Sequence, residues 1–457
     1  MTHSVKHSLS GLMLTPLRRV ISWRDVGTAF NDAVTPYMKI GIYKWGWEVP
    51  RAYDVKDAQV IFSELRVGGA DSTFAEVDTA PSAPHLPLMK RVASFVMDAD
   101  ASGYPADYLW CGWQRGTYLA GHLALAQAVE AQDSARYFDW AVEWAARQRW
   151  QSCVALPVDA HTGATSDKSH SHLHDPTNAN NLCASQAYMA LCTLRPSECA
   201  AQGWMNSTER VLSEILTRPE IDDWWWADAF FMAMPTLAMQ ANRTGDRRYL
   251  DKLAQMFGDS AHRRGLWSAQ ERLFYESEAY RAVRTPHTGA RFFWGRGAGW
   301  AIAALARVLE VLPSESPHRS LYEEPLKAMA GRLISLQRSD GFWTANLLDA
   351  AACPGPETTT TALFVYSLAW GVNHGLLARV TFDPAIQLGW RALQSVVADD
   401  GSLGFCQPAG GGTCVVPCAT THNTSGRAAN ASGARGGTAD FCGGQWLLAA
   451  AETLRMR

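Results

Sequence analysis

An aspartate enclosed by aromatic residues is the first side chain in this sequence equipped for chemistry. Asp228 stands in Trp224-Trp225-Trp226-Ala227-Asp228-Ala229-Phe230-Phe231-Met232-Ala233-Met234-Pro235. A carboxyl pressed among large apolar groups has its pKa raised, which a general acid working near neutrality requires. The start of an apolar helix also favours Asp as an N-cap, and composition alone leaves both roles open. A second cluster, Trp294-Gly295-Arg296-Gly297-Ala298-Gly299-Trp300, sets a fixed cation between two indoles, with glycines that let a backbone approach a ligand. Arg296 can grip a carboxylate in a planar fork, or tie helices together through an internal carboxylate. The glycines lack the Lys-Ser/Thr and the preceding strand of a phosphate loop.

The nineteen tryptophans matter by their placement. Trp110, Trp113, Trp224, Trp225, Trp226, Trp294, Trp300 and Trp343 fall at connections or at the starts of apolar segments. A flat ring with one N–H donor suits the apolar face and hydroxyl rim of a sugar, while core packing is the competing use of any single indole. Aromatics around a cation and an acid predict an acidic oligosaccharide as the partner. The balance of 41 basic against 44 acidic residues, net −3, argues against nucleic acid. No apolar run reaches the roughly 18 residues that span a bilayer, so no membrane partner is expected. Among the ten cysteines, Cys406, Cys414, Cys418 and Cys442 cluster late near His422, without metal-ligand spacing. Neither a metal nor a cofactor is expected, and the thiols read as scattered in a reducing compartment or as forming one loop disulfide. A cytoplasmic location is the default, against a faint targeting bias from Lys6, Arg18, Arg19 and Arg24.

These residues need a frame. Six segments are apolar on nearly every face: Gly112 to Val129, Asn181 to Leu194, Asp228 to Gln240, Gly299 to Leu312, Thr360 to Val372 and Gly444 to Leu454. Helices of that kind are buried on all sides. Leu86 to Met97, Ser134 to Arg149, Ser207 to Thr217, Arg247 to Phe257, Arg319 to Gln337 and Pro384 to Val397 are amphipathic. Six buried helices alternating with six half-exposed ones predict an all-α fold, the (α/α)6 barrel, with the longer connections carrying function. The short β-like runs Arg272 to Glu276 and Gly341 to Leu347 predict small hairpins at the barrel mouth. Domain boundaries follow: an N-terminal extension over 1–85, the barrel over 86–457, and a mobile Gly/Ala/Ser/Thr-rich loop over 409–438.

Five ordered motifs carry a resemblance to a known family: Trp225 to Pro235; Trp294 to Trp300; Asp340-Gly341-Phe342-Trp343 with Leu347-Leu348-Asp349; Glu357-Thr358-Thr359-Thr360-Thr361-Ala362-Leu363-Phe364; and Ala369-Trp370-Gly371-Val372-Asn373-His374-Gly375-Leu376. From about Trp110 to the C-terminus the chain resembles the unsaturated rhamnogalacturonyl hydrolases of glycoside hydrolase family 105, with the family 88 unsaturated glucuronyl hydrolases as nearest relatives. The resemblance implies an (α/α)6 barrel that removes a terminal 4,5-unsaturated uronic acid from lyase-generated oligosaccharides. In such enzymes an Asp protonates C4 of the vinyl ether and helps water add at C5, after which the hemiketal collapses. Asp228 matches that Asp, and Arg296 and Trp300 match residues that hold the uronate. Trp294, Trp225, Trp113, Trp343, Asn180, Asn181 and Gln186 complete the expected binding set.

The sequence departs from the family in three places. An Asp-Asp pair is usual ahead of a Gly-Gln, where this chain reads Asn178-Ala179-Asn180-Asn181-Leu182-Cys183-Ala184-Ser185-Gln186. An amide holds a hydroxyl but supplies no charge to raise the pKa of Asp228, and Asp175 is the nearby substitute. Glu276 stands where several members place His or Arg; an acid repels a uronate, so Glu276 is turned away or the substrate differs. Ala298 replaces an Asn. Two alternatives follow: a catalytically weakened binder of acidic oligosaccharides, or an inverting glycosidase pairing Asp228 with Asp175 or Glu357.

Overall fold

The computed structural model describes residues 3–4, 20–22, 58–61, 85–101, 112–152, 175–407, 409 and 438–456. Most of the expected extension 1–85, and the expected loop 409–438 apart from its end residues, lie outside them. The chain divides into two compact units, Met1–Ala80 and Pro81–Arg457. Within the first, β1 (His3–Ser4) runs parallel to β3 (Ala58–Ile61), and β2 (Val20–Ser22) runs antiparallel to it on the other side.

The second unit is built from helices. The inner ring comprises α2 (Trp113–Ala128), α4 (Ala179–Leu194), α7 (Asp228–Thr244), α9 (Gly295–Val311), α11 (Thr358–Asn373) and α13 (Thr438–Leu454). Each packs on the next, and α13 returns to α2, closing the ring. Around it stand α1 (His85–Ala101), α3 (Ala131–Arg147), α6 (Asn206–Thr217), α8 (Arg248–Gly258), α10 (Arg319–Leu333) and α12 (Arg379–Ser395), with α5 (Pro196–Gln202) as a short link. This is the expected (α/α)6 barrel. All but one of the sixteen residues of α11 are buried, so its apolar character has no solvent side to spare.

The seam between α13 and α2 depends on missing side chains. A Cβ on Gly121 would lie 2.1 Å from the Gly444 carbonyl, and one on Gly444 would lie 2.3 Å from that of Thr117. The two backbones therefore touch only because both residues are glycine. Buried charge fastens the same seam: Arg115 on α2 donates to Asp440 on α13 at 2.8 Å and to Asp100 on α1 at 3.1 Å, and Asp100 also receives Arg147 at 2.6 Å.

Several boundaries differ from the sequence reading. α12 begins at Arg379, so Pro384 lies inside it; the carbonyl left without a partner belongs to Val380, which is 87% exposed and open to water. α9 begins at Gly295 rather than Gly299, which puts Arg296 in its first turn. In the first expected β region only β5 (Leu273–Phe274) forms, and it pairs antiparallel with β4 (Trp267–Ser268), which precedes that region. In the second, Gly341 to Leu347, only an isolated bridge forms, between Asn346 and Trp294. Where scattered thiols or one loop disulfide were expected, the described residues hold two disulfides, Cys192–Cys199 and Cys406–Cys442, while Cys414 and Cys418 lie outside them.

Candidate active site

The N-terminal ends of the inner helices converge on one mouth of the barrel. Trp113 opens α2, Asp228 opens α7, Arg296 sits in the first turn of α9, and Phe441 in that of α13. Trp113 meets Trp300 edge-on at 6.2 Å and Phe441 at 5.0 Å, and Trp300 packs on Phe231 at 4.8 Å. Helix N-termini carry partial positive charge, so this mouth favours an anion. The opposite mouth, where the C-terminal ends gather, holds a cavity of about 830 Å³ lined by Leu123, Met189, Met239, Arg307 and Leu448 among others.

Asp228 does not cap its helix. Ala227 is the cap residue and no side-chain capping bond forms, which removes the N-cap reading. Part of Asp228 remains open to the mouth, but its Oδ2 is buried with no hydrogen-bond partner among the described residues. Burial drives its pKa up to about 7, the Glu276 charge adds to the rise, and Arg296 opposes it. The Trp300 indole N–H leans on the same carboxyl and also lowers its pKa slightly, without closing a hydrogen bond of ordinary geometry.

Arg296 is buried and boxed by rings. Its guanidinium lies 4.6 Å from the Trp294 ring centroid and 5.1 Å from that of Phe441, a double cation–π contact. Nη1 donates to the Gln407 carbonyl at 2.6 Å. The Gln407 side chain accepts from Trp294 Nε1 at 2.9 Å, so one residue orients both the cation and its aromatic wall. Burial lowers the Arg296 pKa, while the Glu357 and Asp228 charges raise it.

Glu357 explains how Gln407 is held. Its carboxylate caps α11, accepting from the N–H and hydroxyl of both Thr359 and Thr360, and it also accepts from Gln407 N–H at 3.1 Å. A carboxylate saturated in this way has no free oxygen for catalysis. Among the described residues Asp175 is engaged through Oδ1 alone, by the Thr177 N–H at 2.8 Å and hydroxyl at 2.6 Å, and is otherwise exposed. Of the residues nominated for an inverting pair with Asp228, Glu357 is therefore the one that is fully occupied.

The remaining expected residues divide. Trp294 walls the site, and Trp225 stands 52% exposed against Trp226 at 4.7 Å. Asn180 belongs to the cap of α4, its N–H donating to Asn178 Oδ1 at 3.0 Å; Asn181 Nδ2 donates to the Asp175 carbonyl at 2.8 Å. Gln186 and Trp343 have structural partners. Pro235 cannot donate to the Phe231 carbonyl one turn back, and Gln186 Nε2 donates there instead, at 2.7 Å, while its Oε1 accepts from Arg307. Trp343 is fully buried and donates to the Leu333 carbonyl at 2.8 Å. Glu276 is not turned away: its carbonyl accepts from Ala227 N–H at 2.7 Å and its charge bears on Asp228. Sequence reasoning missed Gln407 and Phe441, which no motif marks, and misread Glu357, whose place before four threonines is itself a capping signal.

Residues 88–456 match Glycosyl Hydrolase Family 88 as a whole. The chain belongs to that family. A family 88 glycosyl hydrolase from Bacteroides vulgatus superposes with a TM-score of 0.67 at 26% identity, covering 82% of this chain and 99% of that one. A polysaccharide lyase superposes with a TM-score of 0.69, also at 26% identity, over 82% of this chain and 98% of the other. The unsaturated 3S-rhamnoglycuronyl hydrolase of Formosa agariphila is 34% identical over 193 residues, 41% of this chain and 50% of that protein. The chain spans about half the length of the curated relatives it matches. Family 88 membership makes the chain a glycoside hydrolase and agrees with the family 105 and 88 resemblance of its motifs.

Proposed function

We propose that this family 88 protein removes a terminal 4,5-unsaturated uronic acid from lyase-generated oligosaccharides. The observation that carries the reading is the Asp228 carboxyl, held protonated up to about pH 7 at a tryptophan-walled mouth that also presents Arg296. Asp228 gives its proton to C4 of the vinyl ether, positive charge develops at C5 and on the ring oxygen, and water adds at C5. The hemiketal then opens and releases the neighbouring sugar. Arg296, flat between Trp294 and Phe441, presents the donor face for the uronate carboxylate, and the helix N-termini add to the pull. The activity named for the Formosa relative supports a rhamnose beside the uronate, so digests of rhamnose-containing acidic polysaccharides are the first substrates to try.

The test is incubation with lyase-generated disaccharides while following the ultraviolet absorbance of the double bond. A fall that Asp228→Asn abolishes supports the reading; binding without any fall supports the weakened-relative alternative. A lyase reading has one observation in its favour, the likeness to a polysaccharide lyase. In that chemistry a base removes the C5 proton beside a neutralised carboxylate and the C4 substituent leaves. The same absorbance would then rise on intact, saturated oligosaccharides.

A further inference from the structure

Asn181 supplies an amide where an acid is usual, and its Nδ2 is bonded to the Asp175 carbonyl. A second carboxyl nonetheless stands beside Asp228, brought there by backbone pairing. Trp226 and Ser277 form an antiparallel bridge, and the adjacent Ala227 N–H donates to the Glu276 carbonyl at 2.7 Å. Ala227 immediately precedes Asp228, so this pairing fixes Glu276 against the opening turn of α7. From the other side, α9 makes room: a Cβ on Gly297 would lie 3.5 Å from the Glu276 Cβ and 2.8 Å from the Trp294 ring. Glu276 is thus pinned between the two helix starts that carry Asp228 and Arg296.

Its surroundings suit a base. Glu276 is half-buried and makes no ion pair with any described residue, although Arg264, Arg281, Arg284 and Arg291 all lie within the same stretch of chain. Its polar contact is the Ser277 side chain on its own segment. The charged groups facing Asp228 are Glu276 and, from α9, Arg296. Two neighbouring carboxyls cannot both ionise freely, so near neutrality one keeps a proton and the other is charged.

We propose that Glu276 is the second catalytic carboxyl, the base that takes a proton from the water adding at C5 while Asp228 delivers its own to C4. The step balances without another reagent. The Asp228 O–H bond breaks and a C4–H bond forms; the water oxygen bonds C5 and its proton passes to Glu276. Transfer of that proton to Asp228 through solvent resets the pair. The assignment rests on the hydrolase reading above, and it accounts for activity in a chain that carries Asn at both usual acid positions.

The experiment compares Glu276→Gln and Glu276→Asp with wild type and Asp228→Asn on the unsaturated disaccharide. Glu276→Gln should keep substrate affinity and lower kcat by roughly a hundredfold or more, the usual range for a general base. Its high-pH limb, set by Asp228, should move down once the like charge is gone. Glu276→Asp should recover part of kcat, as should formate added to Glu276→Ala by supplying an external carboxylate. An unchanged kcat and an unmoved limb in Glu276→Gln overturn the base assignment while Asp228→Asn, if dead, leaves the hydrolase reading standing. If Glu276→Gln fails to fold, Glu276→Asp and the formate series decide. Wild type that binds the disaccharides without consuming them overturns both readings. A direct NMR titration of the Asp228 carboxyl, with and without Glu276→Gln, tests the coupling independently of turnover.

Discussion

The Gln407 carbonyl accepts a hydrogen bond from Arg296 Nη1 at 2.6 Å across 111 residues of sequence. The cation of the site is therefore aimed by a loop residue that sits in none of the motifs. Glu357 holds that loop residue from below through the Gln407 N–H.

Arg296→Lys keeps the charge and loses the fork, because a compact ammonium cannot lie flat between Trp294 and Phe441 or offer a carboxylate two parallel N–H donors. A lost charge-assisted hydrogen bond costs about 1.5–3 kcal/mol, so KM for the unsaturated disaccharide should rise on the order of ten- to a hundredfold. Steady-state kinetics check this. An equal loss of affinity for an uncharged analogue would instead make Arg296 a strut of the fold.

The Cys406–Cys442 disulfide ties the Gln407 segment to α13. The preceding Phe405 holds a left-handed φ of 57°, a conformation that a bulky residue keeps only when its neighbours impose it. Cys406→Ser should release that constraint, lower stability by about 2–4 kcal/mol and raise KM. Thermal melts and kinetics with and without reductant report both effects. The Cys192–Cys199 pair, beside the opposite mouth, should affect stability with little change in KM.

The titration of Asp228 at about 7 sets two pH effects. As a proton donor it must be protonated, so turnover should fall as pH rises through 7. Between its ordinary value of 3.8 and about 7 the native state holds a proton that the unfolded chain has lost, so stability declines as pH rises across that window. Asp228→Asn should therefore abolish turnover and raise the Tm at neutral pH and above, while changing it little at pH below 3.8. Melts across the pH range show whether the gain appears only on the alkaline side.

The barrel was legible because its signal is local and repeated: a helix apolar on every face, such as α11, can only be an inner stave. Asp228 and Arg296 could be nominated from sequence because aromatics and glycines sit beside them in the chain. Gln407 and Phe441 were not, since their contact with Arg296 exists only once the ring closes. Glu276 was visible but read by sign alone; sequence cannot tell whether an acid faces the uronate or the catalytic acid. Gln186 failed for the opposite reason, because its partner is a carbonyl orphaned by Pro235 on another helix.

That pairing gives its own test. Gln186→Leu leaves the Phe231 carbonyl buried and unpaired and should cost about 1–3 kcal/mol. Because Gln186 works inside the ring, KM should stay near wild type. A large KM increase at unchanged Tm would return Gln186 to the substrate.

Asn181→Asp restores the acid usual at this position, and on charge alone it should raise the pKa of Asp228 further. The structure predicts a different result. Asn181 Nδ2 donates to the Asp175 carbonyl at 2.8 Å, and its side chain is buried at the start of α4. An aspartate there sets a carboxylate oxygen against that carbonyl, so a donor is lost and two acceptors face each other. The Asp175 carbonyl keeps the Asn178 N–H at 3.1 Å, so the cost is the repulsion between the two acceptors, of which the nearby helix N-terminus recovers about 0.3–1 kcal/mol. The net expectation is a lower Tm and no gain in kcat at neutral pH. Asn180→Asp, whose backbone N–H rather than side chain makes the Asn178 contact, should be tolerated better. If Asn181→Asp instead raises kcat and shifts the high-pH limb upward, the site still lacks a second acid and Glu276 does not serve as one.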